Sequence, residues 1–277
     1  MKQGQITSQI DAEPGDSVVW YFAYGSNMLA SVMSGRGLNI TAAYSAAVPS
    51  HMLNFDIFGI PYSEPAMASI SARPQYHEKC GQQEPEQVAE IDVPAVHGVL
   101  YRLSRSDWFK LVRSEGAGTA YREIEVEVQL LQPVSLSVSV KWVRTLVARY
   151  PFRPNAAPSK RYLDIMVKGA EERDLPSQYL KFLKSIPALD SMESRARPGA
   201  QGFIAFWLFL AKYLMRWVKL QADEHGQAPE WMGGLVWLLF NLLWWYHDYI
   251  HSKIWSSGAG DRIDIMRSSE KKKGANI

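Results

Sequence analysis

Two short stretches hold most of the chemistry that residue types alone can suggest. The first is Tyr24-Gly25-Ser26-Asn27, which ends an apolar run. A Gly followed by Ser and Asn makes a tight turn whose backbone N–H groups can point outward together, suiting a carboxylate or a developing oxyanion. The same residues would equally make a plain strand–helix turn. The second is Glu115, beside Gly116 in the turn Glu115-Gly116-Ala117-Gly118. There a carboxylate can overhang a pocket and move protons as a general acid or base; otherwise it is simply solvated. Glu123, Glu125 and Glu127 alternate with Ile124, Val126 and Val128, a period-two pattern that predicts a solvent-facing row. Neither a Ser/His/Asp nor a Cys/His set suggests an enzyme nucleophile. Metal ligation is not expected: His77-x-x-Cys80 offers too few ligands. His247 and His251, one helical turn apart, lack a third, so a surface or capping role is expected for them.

These stretches need elements to position them. Val18 to Ala23 is β-branched and aromatic and predicts a buried strand leading into the loop at 24–27. Met28 to Met33 predicts a helix, with Ser26 or Asn27 as its N-cap. Strands are expected over 42–57, broken at Pro49, and over 66–72 and 96–103. A helix over 107–113, capped by Ser104 or Ser106, leads into Glu115. Tyr121 to Leu130 and Leu136 to Val147 alternate like antiparallel neighbours. After the proline-rich stretch at 151–158 come helices over 162–173 and 178–184.

Of 277 residues, 30 are basic and 28 acidic, so nothing electrostatic argues for nucleic acid as a partner. A lone cysteine, Cys80, forms no internal disulfide and fits a reducing compartment such as the cytoplasm. Residues 1–17 read as a polar, disordered leader without a signal-peptide core. Residues 74–94 read as a polar loop, 187–201 as a linker and 257–277 as a polar tail.

Tyr21-Phe22-Ala23-Tyr24-Gly25-Ser26-Asn27-Met28 resembles the signature of the γ-glutamyl cyclotransferase family. Gly98-Val99-Leu100-Tyr101, Glu115-Gly116 with Tyr121, and Pro158-Ser159 through Tyr162, Gly169-Ala170 and Leu175-Pro176-Ser177-Gln178-Tyr179 follow in that family's order. The resemblance spans residues 18–186 and implies an α+β fold, a small mixed β-barrel with flanking helices. It also implies a reaction in which the α-amine of a γ-glutamyl group attacks its own γ-carbonyl. Ring closure releases 5-oxoproline and an amine, without cofactor, metal or enzyme nucleophile. Glu115 would shuttle the proton, Tyr24, Gly25, Ser26 and Asn27 would cradle the substrate, and Tyr121 and Tyr162 would contact it or serve as wall residues. The pattern is similar to fungal members of gliotoxin-type biosynthesis, which act on a glutathione-conjugated intermediate. A housekeeping enzyme for glutathione or γ-glutamyl amino acids and a non-catalytic membrane-bound binder are the rival readings. Retention of a glutamate at 115 speaks against the binder.

The departure from the family is the apolar, aromatic segment 202–256, which holds most of the ten tryptophans. Its two runs, 202–213 and 233–246, are each shorter than the ~18–20 residues of a membrane span. A helical hairpin is expected, and aromatic residues with Lys212, Arg216 and Lys219 point to a membrane surface. A lid on the barrel, a homodimer interface and an ordinary buried hairpin are the other readings.

Overall fold

The computed structural model describes residues 17–73, 93–132, 142–153 and 155–260. The expected leader, nearly all of the polar loop, the 77–80 pair, the start of the 136–147 strand and the end of the tail lie outside them. Six strands form one mixed sheet in the order β6 (Tyr121–Glu127), β8 (Trp142–Ala148), β1 (Val18–Ala23), β5 (Val96–Ser104), β2 (Ala42–Val48), β7 (Gln129–Leu130). β1 runs antiparallel to β5 and parallel to β8, with Tyr21 against Arg144, and every other pairing is antiparallel. Because β1 is central, it is a continuous apolar run, not an alternating one. β3 (His51–Ile60) and β4 (Glu64–Ala72) form a separate ribbon. The ribbon joins the sheet where the N–H of Ala148 donates to Ser69 Oγ at 2.9 Å. Sheet and ribbon enclose one core, in which Phe22, Leu53, Phe55, Val99, Leu100 and Tyr101 are buried with Trp108.

The helices flank this core. α2 (Arg105–Ser114) is capped by Ser104, which accepts from the N–H of Asp107 at 3.0 Å. α3 (Lys160–Glu172) is capped by Ser159 in the same way, through the N–H of Tyr162. α4 is Ser177–Ser185. The expected Ser26 or Asn27 cap does not form. Residues Ser26–Met28 make a single 3₁₀ turn, and α1 (Ala30–Gly35) starts behind Leu29 with no side-chain cap. Asn27 is spent elsewhere, as described below. α3 packs onto that turn so closely that a Cβ on Gly169 would stand 2.6 Å from the Leu29 nitrogen.

The stretch read as a linker carries α5 (Ser191–Ala196), and its Leu189 pairs with Ser159. The hairpin follows as α6 (Ala200–Leu220) and α7 (Glu230–Tyr246), then a π-helical turn at His247–His251 and α8 (Ser252–Trp255). No helix among the described residues is long and apolar enough to cross a membrane. The hairpin builds a second core with the far end of β3: Phe58 stacks on Phe240 at 4.4 Å, and Trp244 Nε1 donates to Gly59 O at 3.0 Å. His247 and His251 are not at the surface but buried around Tyr62 and Phe203. His247 Nε2 accepts the N–H of Gly258 at 3.1 Å, and His251 Nδ1 meets the Tyr62 hydroxyl at 3.0 Å. No group of three metal-ligating side chains occurs among the described residues.

Candidate active site

The loop after β1 and the end of α2 converge. Glu115 is the C-cap of α2, and the helix stops there because Gly116 adopts φ +95 while the N–H of Ala117 reaches back to Val112 O at 3.0 Å, a Schellman-type ending. Ala117 and Gly118 follow with φ +51 and +77. A non-glycine residue in the left-handed region is uncommon and favours a site held by its surroundings. This ending turns the Glu115 side chain toward β1. There Asn27 Nδ2 donates to Glu115 Oε1 at 2.8 Å and lies 3.1 Å from the Tyr21 hydroxyl. The two stretches singled out in the sequence, 88 residues apart, are thus in direct contact.

Arg36 is the partner that the sequence reading missed. Its Nη2 stands 2.6 Å from Glu115 Oε1, and its Nη1 donates to Ser114 Oγ. Both side chains are about four-fifths covered, so the pair is shielded from solvent screening more than a surface bridge. The signal was faint: an arginine between Gly35 and Gly37 in a loop. Glu123 was misplaced. It is half-buried, ion-paired to Arg144 at 3.1 Å, and lines the cleft beside Glu115. Burial pushes its carboxyl up, and Arg144 opposes that shift.

Hydroxyls crowd the other side. Tyr24 is buried and donates to Leu146 O. The Tyr162 hydroxyl accepts from the N–H of Ala68 at 3.2 Å, is hydrogen-bonded to Ser26, and leaves no room at Gly25, whose Cβ would stand 3.0 Å away. Tyr121 shares the cleft wall with Glu115. Burial raises all four phenols, that of Tyr162 to about 12, and the Glu115 charge adds to the rise in Tyr21, Tyr121 and Tyr162. They are neutral O–H groups, and apart from Tyr24, which donates to Leu146 O, they can donate to an anion. From Glu115 a cleft of ≈ 240 Å³ opens past Tyr121, Leu146 and Arg149 to Gln227. Tyr101 steadies the floor by donating to Asn27 O and Met28 O at 3.0 and 3.1 Å.

Two family models match, the AIG2-like family over residues 95–183 and the AclK C-terminal domain over 193–254. Over 260 residues the chain is 38% identical to the γ-glutamyl cyclotransferase gliK of Aspergillus fumigatus, covering 91% of this chain and 93% of the relative. The chain belongs to the γ-glutamyl cyclotransferase family. The cyclotransferase aclK of Aspergillus oryzae is 32% identical, with 88% and 91% covered. A solved structure described as a γ-glutamyl cyclotransferase is 22% identical, with a TM-score of 0.47 and coverage of 63% of this chain and 90% of that one. In this cyclotransferase the family resemblance runs through the hairpin as well as the sheet.

Proposed function

We propose that this chain closes γ-glutamyl groups into 5-oxoproline, with Glu115 as the proton shuttle. The observation that carries the reading is the 2.8 Å contact between Asn27 and Glu115, which unites the loop at 24–27 with a carboxylate at the mouth of the cleft. In the reaction the α-nitrogen forms a bond to the γ-carbonyl carbon, and the bond from that carbon to the leaving nitrogen breaks. The α-nitrogen gives up two of its three protons. Glu115 takes one from the α-ammonium before attack and one from the same nitrogen as the ring forms. It hands them in turn to the leaving nitrogen, which departs as an ammonium, so no water is consumed. Holding the substrate in its ring-closing rotamer supplies much of the rate, because the attack is intramolecular. Gly25 is the N-cap of the 3₁₀ turn that Ser26 and Asn27 open, where the first N–H groups lack internal acceptors, and these residues would hold the α-carboxylate or the developing oxyanion. Tyr121 and Tyr162 would donate to the same charge, Tyr24, whose O–H is given to Leu146 O, would line the cradle, and Arg36 would orient Glu115.

Residues 18–186 would carry the chemistry and 202–256 the setting in which it occurs. The fungal relatives with the same two-part chain favour a gliotoxin-type conjugate over a free γ-glutamyl amino acid as substrate. The experiment is 5-oxoproline release from γ-glutamyl peptides and glutathione S-conjugates by wild type and Glu115→Gln. Release that drops about 10²–10⁴-fold in the variant is expected. No release by folded wild type from any of these substrates would overturn the reading.

We also propose that the outer face of the hairpin rests on an anionic membrane surface within a reducing compartment. Phe206, Phe209, Tyr213 and Trp217 are exposed along α6 with Lys212 and Arg216 among them, and Leu238, Leu242 and Trp245 along α7. Aromatic rings with interspersed cations suit an acidic lipid interface. Flotation with phosphatidylserine vesicles but not phosphatidylcholine vesicles, reversed by Lys212→Glu with Arg216→Glu, is the expected result. Absence of lipid binding together with a dimeric mass in solution would instead assign this face to a second copy of the chain.

A further inference from the structure

We infer that the turn between α6 and α7 forms the leaving-group end of the active site, and that Gln227 selects amines that continue as a peptide. The inference rests on the cyclotransferase reading. A single carboxylate that serves both nitrogens must have the glutamyl part on one side and the leaving group on the other. Loop 24–27 reaches Glu115 through Asn27. The open cleft runs from Glu115 past Tyr121 and Leu146 to Gln227, its contribution from the hairpin, which therefore stands at the end away from Glu115.

The turn is built to hold that residue still. Asp223 Oδ1 accepts the N–H groups of His225 and Gln227 at 3.0 and 2.9 Å, and the Asp223 N–H returns to Gln227 O at 2.9 Å. The turn is also fastened to the segment that carries Glu115. The N–H of Ala228 donates to Ala117 O at 2.9 Å, and Arg113 donates from Nε and Nη2 to Lys219 O at 3.0 and 2.8 Å. Gly226 lies so tightly on α2 that a Cβ there would stand 2.2 Å from Phe109 O, with φ +77. Hairpin and catalytic turn therefore form one rigid lip.

The lip's chemistry fits a peptide fragment. The exposed Gln227 side chain reaches over Gly118, and its carboxamide makes no hydrogen bond among the described residues. It can therefore donate to a peptide C=O and accept from a peptide N–H. Beyond it, Arg149 spends Nη1 on Gly118 O at 2.9 Å and meets the exposed Glu230 at 3.2 Å, an exchangeable pairing that a substrate carboxylate could replace. A cleft of ≈ 240 Å³ is smaller than the roughly 300–1,000 Å³ of drug-sized sites and suits a dipeptide-sized group.

The test uses the full chain and S-methylglutathione as substrate, with inhibition constants measured for both products, S-methylcysteinylglycine and 5-oxoproline. In Gln227→Ala the constant for the amine product should rise about five- to tenfold relative to that for 5-oxoproline, the loss of one or two hydrogen bonds. Gln227→Glu, on an exposed residue and close in shape, should raise it further by repelling the product carboxylate. If both constants keep their ratio within about twofold in both variants, Gln227 merely supports the turn and the inference fails. Wild type that releases no 5-oxoproline would sink the cyclotransferase reading itself.

Discussion

The two cores of this protein use aromatic residues in opposite ways. In the first, tyrosines and Trp108 point inward around a polar site, and Asn27, Asp56 and Thr145 are buried among them. In the second, aromatics are both packed inward and displayed outward, and the outward ones are the more numerous among the described residues. Among the described residues, every exposed large apolar side chain except Trp142 and Met192 lies between Phe206 and Trp255. A count of aromatic residues is thus no guide to their work; what a ring faces is. Neighbours make the point: Trp244 is 1% exposed and Trp245 is 52% exposed.

That contrast can be broken by experiment. The largest effect is expected at the polar centre, where Glu115→Gln should lower kcat by about 10²–10⁴-fold while the melting temperature barely moves. An equal loss of stability would mean that Glu115 is structural. In the second core, Trp244→Ala removes a ring that donates to Gly59 O and lies under the Arg153 guanidinium at 4.2 Å. It should cost about 3–5 kcal/mol in urea unfolding.

Asp56 sharpens the comparison from the other side. It is the residue at the β3 bulge, nine-tenths covered, with Oδ1 lacking a partner among the described residues. Burial pushes its carboxyl up to about 6, opposed by a hydrogen bond from Ser69. Since the folded value exceeds the unfolded one, the native state binds the proton more tightly. Stability then falls as pH rises from about 4 to 6, and the penalty is complete above that window. Asp56→Asn should therefore gain up to about 3 kcal/mol at pH 7.5, and the gain should shrink toward zero below pH 4. A pH-independent gain would refute the titration. The smallest effect on stability belongs to Trp245→Ala, within about 0.5 kcal/mol, although the variant should float less well with acidic vesicles.

Much of the frame was legible because it is local. Strand and helix positions followed from period-two and apolar runs, and the Ser104 cap from a serine before a helix. The site was legible only as two fragments. Their meeting depends on α2 stopping at Glu115 and on Asn27 turning away from the helix it was expected to cap, neither of which the local pattern at either place reveals. Arg36, Gln227 and the half-buried Glu123 were missed for the same reason, since each acts through a neighbour distant in the chain. The histidines misled because an apolar helix carrying i, i+4 imidazoles looks the same whether the partner is water or Tyr62.

β3 belongs to both cores: Leu53 and Phe55 are buried in the first, Phe58 and Ile60 in the second. One strand acts as a common beam, so loosening either end should propagate along it. Heating should accordingly melt catalytic centre and hairpin in a single cooperative transition. A protease nick near residue 199 would then leave two pieces held together by β3 rather than two independent domains.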